Sequence, residues 1–483
     1  MDISSIMRRD VGFKADITGI SYDSRKAREG DLFFCLKGFN SDGHKYAKSA
    51  YDNGARIFAV TDDIDLPSDA HIIKCNDTRH ELALASDAFF EHPSKSMYTI
   101  GITGTKGKTS TSFMLRRIFE CAGKKVGIIG TMGIYCGDEY IESHNSTPES
   151  YVIHSSMAKM RSAGCDVVIM EASSQGFKMH RTDGIMFDAG IFTNISPDHI
   201  GPTEHDDFEE YLSCKCMLAR QSKKMYVNAD MQNLDALMNA INSAGTPFMT
   251  FGKAQSADFR IKAASFGTDG NTMATSFVCE TDREQQKIVC NMPGEFSIYN
   301  ALAATVAARG YGIDWQYIRQ GLSSVYVEGR MEVLQTGTDY SVIIDFAHNA
   351  ISCEKLFETI KLYSPKRIIS IFGCGGNRSL QRRADMGYII GKNSDISIVT
   401  ADNPRTEPIA HINMDIKQGL DRTETEQIYI DDRKAAIHAA LDMAQAGDCI
   451  LLIGKGHEKY QEVGDGLCPF CERDIVFDYF ASK

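Results

Sequence analysis

The chain has 483 residues, enough for roughly three domains of about 100–200 residues each. It is 43% hydrophobic and 24% charged, the balance of a soluble globular protein, and no apolar run reaches the ~18 residues that span a bilayer. A net charge of −12 argues against a nucleic-acid surface, and fourteen scattered cysteines behind a start without a signal-peptide core suggest reduced thiols in the cytoplasm. The first ~95 residues read as a small α/β unit. Its strands are Gly30–Leu36 and Arg56–Val60, its helices Lys45–Asn53 and Thr78–Phe90, and His92-Pro93-Ser94 closes it.

The next stretch opens the chemistry. Tyr98, Ile100 and Ile102 read as a buried strand; Gly101, Gly104 and Gly107 let the backbone curl, Lys108 follows, and Thr109 and Ser110 open a helix carrying Leu115, Ile118 and Phe119 at helical spacing. A helix start offers unpaired N–H groups and partial positive charge, so Gly104, Thr105, Lys106, Gly107, Lys108, Thr109 and Ser110 form a candidate cradle for the phosphates of ATP. Lys108 would reach the terminal phosphates and the Thr109 hydroxyl would hold Mg²⁺. The spacing is a variant, GxxGxxGKT, because the first glycine falls one residue earlier than in the strict phosphate loop.

From 96 to 328 strands and helices alternate, the pattern of a parallel sheet covered by helices. The strands 126–129, 166–171, 189–193 and 225–227 end in polar clusters around Glu171, around Thr193-Asn194 with Asp198-His199, and at Asn228-Ala229-Asp230, which are expected to face the phosphate loop. Glu171 and His199 suit a divalent metal; read singly, each is also a hydrogen-bonded strand end. A third unit, 329–483, alternates again with strands at 342–345, 367–372, 396–399, 428–430 and 450–453. Polar turns at Asp345–Asn349, Gly373–Arg378, Asp402–Arg405 and Gly454–Glu458 would converge along one sheet edge. Cys214/Cys216 and Cys468/Cys471 have the spacing of zinc or redox pairs but lack a four-ligand set or a thioredoxin-like setting.

Ten ordered motifs run through nearly the whole chain: GITGTKGKTST, NSTPES, EASSQGF, FTNISPDH, GEFSIYNALAA, GRMEV, DFAHN, FGCGGNR, DNPRTEP and GKGHEKYQ. Together they resemble the Mur ligases. The resemblance implies a three-domain α/β fold with a central phosphate-loop parallel sheet and a Rossmann-like third domain. By position these are 1–95 for the UDP-substrate, 96–328 for ATP, and 329–483 for the amino acid. It implies ATP-dependent amide formation in the cytoplasm, by a monomer acting on small molecules, with no nucleic-acid or membrane partner. The acceptor would be UDP-N-acetylmuramoyl-L-alanyl-D-glutamate, whose carboxylate is phosphorylated and then attacked by an amine.

Carried over by position, Thr109, Glu171 and His199 would serve magnesium with Lys215, which matches a lysine that is carbamylated in the family; the plain alternative is a surface lysine on a helix. Asn300, Arg330 and Asp345 resemble nucleotide contacts. Ser24, Asn40 and Ser41 match uridine-side positions, and Ser146, Thr147, Ser173 and Arg181 the muramoyl-dipeptide end. Asp402-Asn403-Pro404-Arg405 resembles the motif of members that add meso-diaminopimelate, with Arg378, Gly454 and Glu458 completing the pocket and Arg405 gripping the distal carboxylate. The chain departs from the family pattern at Met179, at Phe346–Ala350, and in a His199 to Lys215 spacing about two residues long. These departures leave room for a member that adds another amino acid, for a folate-type glutamate ligase, or for a nucleotide-dependent binding protein without ligase activity.

Overall fold

Every strand expected above has a counterpart in the computed structural model, which describes residues 1–483 except 39, 40, 138, 144, 199, 202, 203, 270 and 271. Asn40 and His199 therefore lie outside the described residues. Contacts gather the rest into two units, one of 1–260 with 302–318 and one of 261–301 with 319–483.

The first unit begins with a parallel sheet of β1 (Gly19–Ser21), β2 (Asp31–Phe34), β3 (Ile57–Val60) and β4 (His71–Lys74), in that order. β2 and β3 are buried along their whole length because apolar clusters cover both faces. Asp77 caps the helix Thr78–Phe89 by accepting from Arg79 N at 2.7 Å and His80 N at 3.1 Å. The expected helix 45–53 divides into a 3₁₀ turn, Gly43–Tyr46, and a short helix, Ala47–Asp52, because the Asp42 side chain caps the earlier turn.

The larger sheet of this unit contains β5 (Tyr98–Thr103), β6 (Val126–Gly130), β7 (Gly133–Cys136), β8 (Glu139–Ile141), β9 (Val167–Glu171), β10 (Ala189–Phe192), β11 (Met225–Asn228) and β12 (Phe248–Gly252). Their order is β12-β11-β10-β5-β9-β6-β7-β8, parallel except for the antiparallel β6-β7-β8 meander. The central β5 places Thr103 at the carboxyl edge, where the glycine turn begins. Gly101 is not part of that turn, contrary to the sequence reading. It lies inside β5, where a Cβ would come within 2.9 Å of Leu218 and 3.0 Å of Phe187, so it permits helix packing rather than curling the loop.

β13 (Phe259–Asp269) follows, and in the second unit β14 (Thr272–Glu280) pairs antiparallel with β15 (Gln285–Cys290). The second unit's main sheet comprises β16 (Glu332–Leu334), β17 (Ser341–Asp345), β18 (Ile368–Phe372), β19 (Ile396–Val399), β20 (Glu426–Tyr429) and β21 (Cys449–Ile453). The order β16-β17-β21-β18-β19-β20 is parallel apart from β16, with one apolar cluster on each face. A hairpin of β22 (Tyr460–Val463) and β23 (Gly466–Pro469) comes after the last strand of that sheet. Among the described residues no helix is long and apolar enough to cross a membrane.

Candidate functional sites

The phosphate turn has the backbone geometry that its glycines allow. Gly104 takes φ +145°, and a Cβ there would lie 2.0 Å from Thr193 Oγ1; Gly107 takes φ +87° as the residue before helix Lys108–Cys121. That helix has no side-chain cap, so its first-turn N–H groups remain available to an anion. Asn194, a residue sequence reasoning placed only in a cluster, fixes the turn. Its Oδ1 accepts Lys106 N at 2.9 Å, its Nδ2 donates to Lys106 O at 2.9 Å, and its carbonyl accepts Thr105 N at 3.0 Å. Thr105 Oγ1 also lies 2.9 Å from the Tyr211 hydroxyl.

Glu171 ends β9 at 1% exposure beside the turn. Its carboxylate accepts from Thr109 Oγ1 at 3.0 Å and from Thr131 Oγ1 at 2.9 Å, so the expected pairing of Glu171 with Thr109 is present. A buried carboxylate and a hydroxyl next to a phosphate turn form a hard-oxygen donor set that suits Mg²⁺. Gly130 makes room for it, since a Cβ there would come within 2.5 Å of Glu171 Oε1.

Lys215 overturns the surface alternative. It is 2% exposed on helix Phe208–Arg220, and its Nζ donates to Gly104 O at 3.0 Å. Burial, then the neighbouring Lys108 cation, pulls its pKa well below the ordinary lysine value. Lys108 Nζ bonds the same Gly104 carbonyl at 2.8 Å. In the third strand-end cluster Asn228 Nδ2 donates to Thr193 O at 2.8 Å beside the phosphate turn, whereas Asp230 turns away from it. Asp230 accepts instead from Lys253 N and Ala254 N, closing the chain after β12.

The same unit joins Thr147, Ser173 and Arg181. Thr147 Oγ1 donates to Glu171 O at 2.9 Å and accepts Ser173 N at 2.9 Å, while Arg181 Nη1 donates to Thr147 O at 2.9 Å. Ser146 precedes them, half-buried. Glu149, unnoticed in the sequence, accepts from Arg181 Nη2 at 3.0 Å and, through both carboxylate oxygens, from Arg79 Nη1 at 3.0 and 2.9 Å. Ser24 is 9% exposed in the 3₁₀ turn Ser24–Lys26, and Ser41 is exposed near Tyr46. Neither bonds to that trio among the described residues.

In the second unit the four polar turns do converge. They line a cavity of about 230 Å³, below the ~300–1,000 Å³ of drug-sized ligand sites and suited to a small molecule. Phe346, His348, Arg378, Asp402, Asn403, Arg405, Gly454 and Glu458 all contribute to its wall. Gly376 lets the Pro404 turn approach, because a Cβ there would lie 1.9 Å from Pro404 O. Arg405, at φ +54°, donates through Nε to Glu462 Oε2 at 2.5 Å and through Nη1 to Gly376 O at 2.8 Å. Lys455, at 0% exposure, donates to Glu458 Oε2 at 2.7 Å and Asn403 Oδ1 at 2.8 Å. Burial raises the Asp402 carboxyl above its ordinary range.

Nearby in this unit, Asp345 accepts Met331 N and Ala347 N, each at 2.8 Å, and burial raises its pKa. The Arg330 guanidinium stacks 5.0 Å over the Phe346 ring. Asn300 is 8% exposed on helix Glu295–Tyr311.

A central β-strand, an uncapped helix start, an adjacent lysine and a buried carboxylate together define a phosphate-loop α/β protein with a separate small-molecule pocket. Family models for the Mur ligase family catalytic domain, the Mur ligase middle domain and the Mur ligase glutamate ligase domain match residues 16–90, 102–308 and 329–456. The UDP-N-acetylmuramoyl-L-alanyl-D-glutamate–2,6-diaminopimelate ligase of Clostridium perfringens is 37% identical over 475 residues, covering 97% of this chain and 96% of the relative. A solved structure of a ligase of that same name superposes with a TM-score of 0.77 at 24% identity, over 100% of this chain and 99% of that one. The MurF ligase of Thermotoga maritima in complex with ADP superposes with a TM-score of 0.60 at 17% identity, covering 96% and 97% of the two chains. The chain belongs to the Mur ligase family, ATP-dependent ligases that form amide bonds.

Proposed function

We propose that this chain joins meso-diaminopimelate to UDP-N-acetylmuramoyl-L-alanyl-D-glutamate, an ATP-driven step in peptidoglycan precursor synthesis in the cytoplasm. One observation carries the choice of amino acid: the Asp402–Arg405 turn brings Arg405 into the same cavity as Arg378, Asn403, Gly454 and Glu458. Diaminopimelate differs from lysine by one distal carboxylate, which a guanidinium grips in two parallel bonds. Glu458 faces the ammonium groups. The full-length likeness to a diaminopimelate ligase supports the same choice.

The turn Gly104–Ser110 holds the phosphates of ATP on the open N–H groups of its helix, and Lys108 leaves Gly104 O to meet the terminal phosphate. Thr109 and Glu171 would hold Mg²⁺, with His199 and a carbamylated Lys215 as further ligands, and the bound ion would supply positive charge to the phosphoryl group. A neutral, buried Lys215 amine adds CO₂ to give a carbamate and a released proton, turning a would-be cation into an anion. Arg181, with Thr147, Ser173 and Ser146, orients the dipeptide carboxylate, while Ser24, Asn40 and Ser41 serve the uridine end. Asn300, Arg330 and Asp345 are the positions that the family motifs assign to the nucleotide. Three domains at 1–95, 96–328 and 329–483 are part of this reading, and three separate family matches at 16–90, 102–308 and 329–456 support it.

The acceptor carboxylate takes the γ-phosphoryl group of ATP, and the diamino acid amine displaces phosphate, leaving ADP, phosphate and the amide. Phosphate release from ATP should require both UDP-N-acetylmuramoyl-L-alanyl-D-glutamate and meso-diaminopimelate. Nucleotide binding without release in their presence would make the chain a non-ligating nucleotide-binding protein.

A further inference from the structure

We propose that His205, Glu210 and Cys214 form a binding site for a thiophilic divalent cation of the zinc class, distinct from the magnesium site. Helix Phe208–Arg220 starts at Asp207, whose side chain accepts Glu210 N at 2.8 Å. The four-residue spacing sets Glu210 and Cys214 one turn apart on one helix face, and His205 joins them from the segment just before the cap. A ring nitrogen, a carboxylate oxygen and the Cys214 Sγ all lie within 4.8 Å of one another. Donors around a tetrahedral zinc stand roughly 3.3–3.8 Å apart, so modest side-chain rotation closes the set.

A second observation points to a ligand independently. The His205 ring is 0% exposed, and neither Nδ1 nor Nε2 has a hydrogen-bond partner among the described residues. Nδ1 approaches Glu210 Oε2 at 3.5 Å, an ion-pair distance beyond the usual ~2.7–3.2 Å of an N–H···O bond. Buried imidazoles normally satisfy at least one nitrogen, and a metal ion would satisfy this one. Cys214 is 8% exposed, so its sulfur is shielded yet adjacent.

The donor types choose the metal. Imidazole nitrogen with a thiolate suits Zn²⁺ or Co²⁺, whereas Mg²⁺ takes oxygen donors and keeps its waters. Lys178 holds the Glu210 carboxylate at 2.8 and 2.9 Å and Asp206 N donates to it at 2.9 Å, the kind of outer contact that aims a ligating carboxylate. Binding exchanges the Cys214 thiol proton for the metal, and that proton leaves to solvent with no change of oxidation state.

The test is Co²⁺ titration of the full-length protein in excess Mg²⁺, read by the thiolate-to-cobalt absorption band in the near ultraviolet. The expected result is saturation near about one equivalent, with loss of the band in Cys214→Ser and at least about tenfold weaker binding in His205→Asn. Zinc should bleach the band, and Mg²⁺ should not. A saturable band that survives Cys214→Ser, or no band at all in the unmodified protein, overturns the proposal. If Cys214→Ser does not fold, an unchanged affinity in folded His205→Asn overturns it equally.

Discussion

Lys215 and Lys455 are both sealed from solvent, at 2% and 0% exposure, and they keep opposite company. Lys455 is clasped by the Glu458 carboxylate at 2.7 Å and the Asn403 amide oxygen at 2.8 Å, with Asp402 at 3.8 Å. Lys215 bonds one backbone carbonyl and faces the Lys108 cation, which together with burial favours its neutral amine. A buried lysine with a carboxylate partner organises a pocket. One without such a partner is a nucleophile in waiting.

The largest expected effect separates them by stability. Lys455→Met takes the buried ammonium from between the half-buried Glu458 carboxylate and buried Asp402 and should lower unfolding free energy by about 3–5 kcal/mol, read by urea denaturation. Lys215→Met removes an amine whose burial is penalised, so it should leave the unfolding free energy at neutral pH undiminished, while phosphate release falls about 10²–10³-fold. A large stability loss in Lys215→Met would contradict the neutral amine.

Arg405→Ala comes next. It should leave ATP binding intact and remove about 2–5 kcal/mol of preference for diaminopimelate, measured as kcat/KM against L-lysine.

The pH dependence of stability is a smaller effect with a definite sign. Because the folded-state pKa of Lys215 is depressed below the unfolded value near ~10.4, the unfolded chain binds more protons between the two values. The destabilisation is complete below the folded pKa and relaxes as pH rises toward ~10.4, by at most about 1.4 kcal/mol per pH unit. Denaturation of wild type and Lys215→Met in CO₂-depleted buffer should therefore show stabilities converging as pH rises. Parallel curves would mean that Lys215 carries its ordinary charge.

The smallest effect belongs to Glu462, which holds Arg405 Nε at 2.5 Å. Glu462→Ala should raise the diaminopimelate KM about fivefold with kcat unchanged, a loss of roughly 1 kcal/mol of charge-assisted hydrogen bonding.

The two regions also differ in how much of them the sequence betrays. The phosphate turn is a local motif, so Gly104, Gly107, Lys108 and Thr109 could be read in one pass, and only Gly101 was misplaced because its constraint comes from Leu218 and Phe187 far along the chain. The parallel strands were legible from their apolar runs. The strand His71–Lys74, with three of its four residues exposed, and the hairpin Tyr460–Pro469, which is largely exposed, carry no such run. Asn194, Glu149, Lys455 and Glu462 escaped notice as site residues because their roles arise from partners 88, 70, 52 and 57 positions away. Lys215 is the instructive case: its place on a helix leaves a solvent-facing lysine open, the family motif marks it as a site residue, and the fold lays it under Gly104.

The most direct measurement offers equal concentrations of meso-diaminopimelate and L-lysine with ATP, Mg²⁺ and UDP-N-acetylmuramoyl-L-alanyl-D-glutamate, and weighs the nucleotide products by mass spectrometry. The diaminopimelate adduct should dominate with the wild-type protein, and Arg405→Ala should erase that preference. A lysine adduct in equal or greater amount from the wild type would contradict the assignment of the Arg405 pocket.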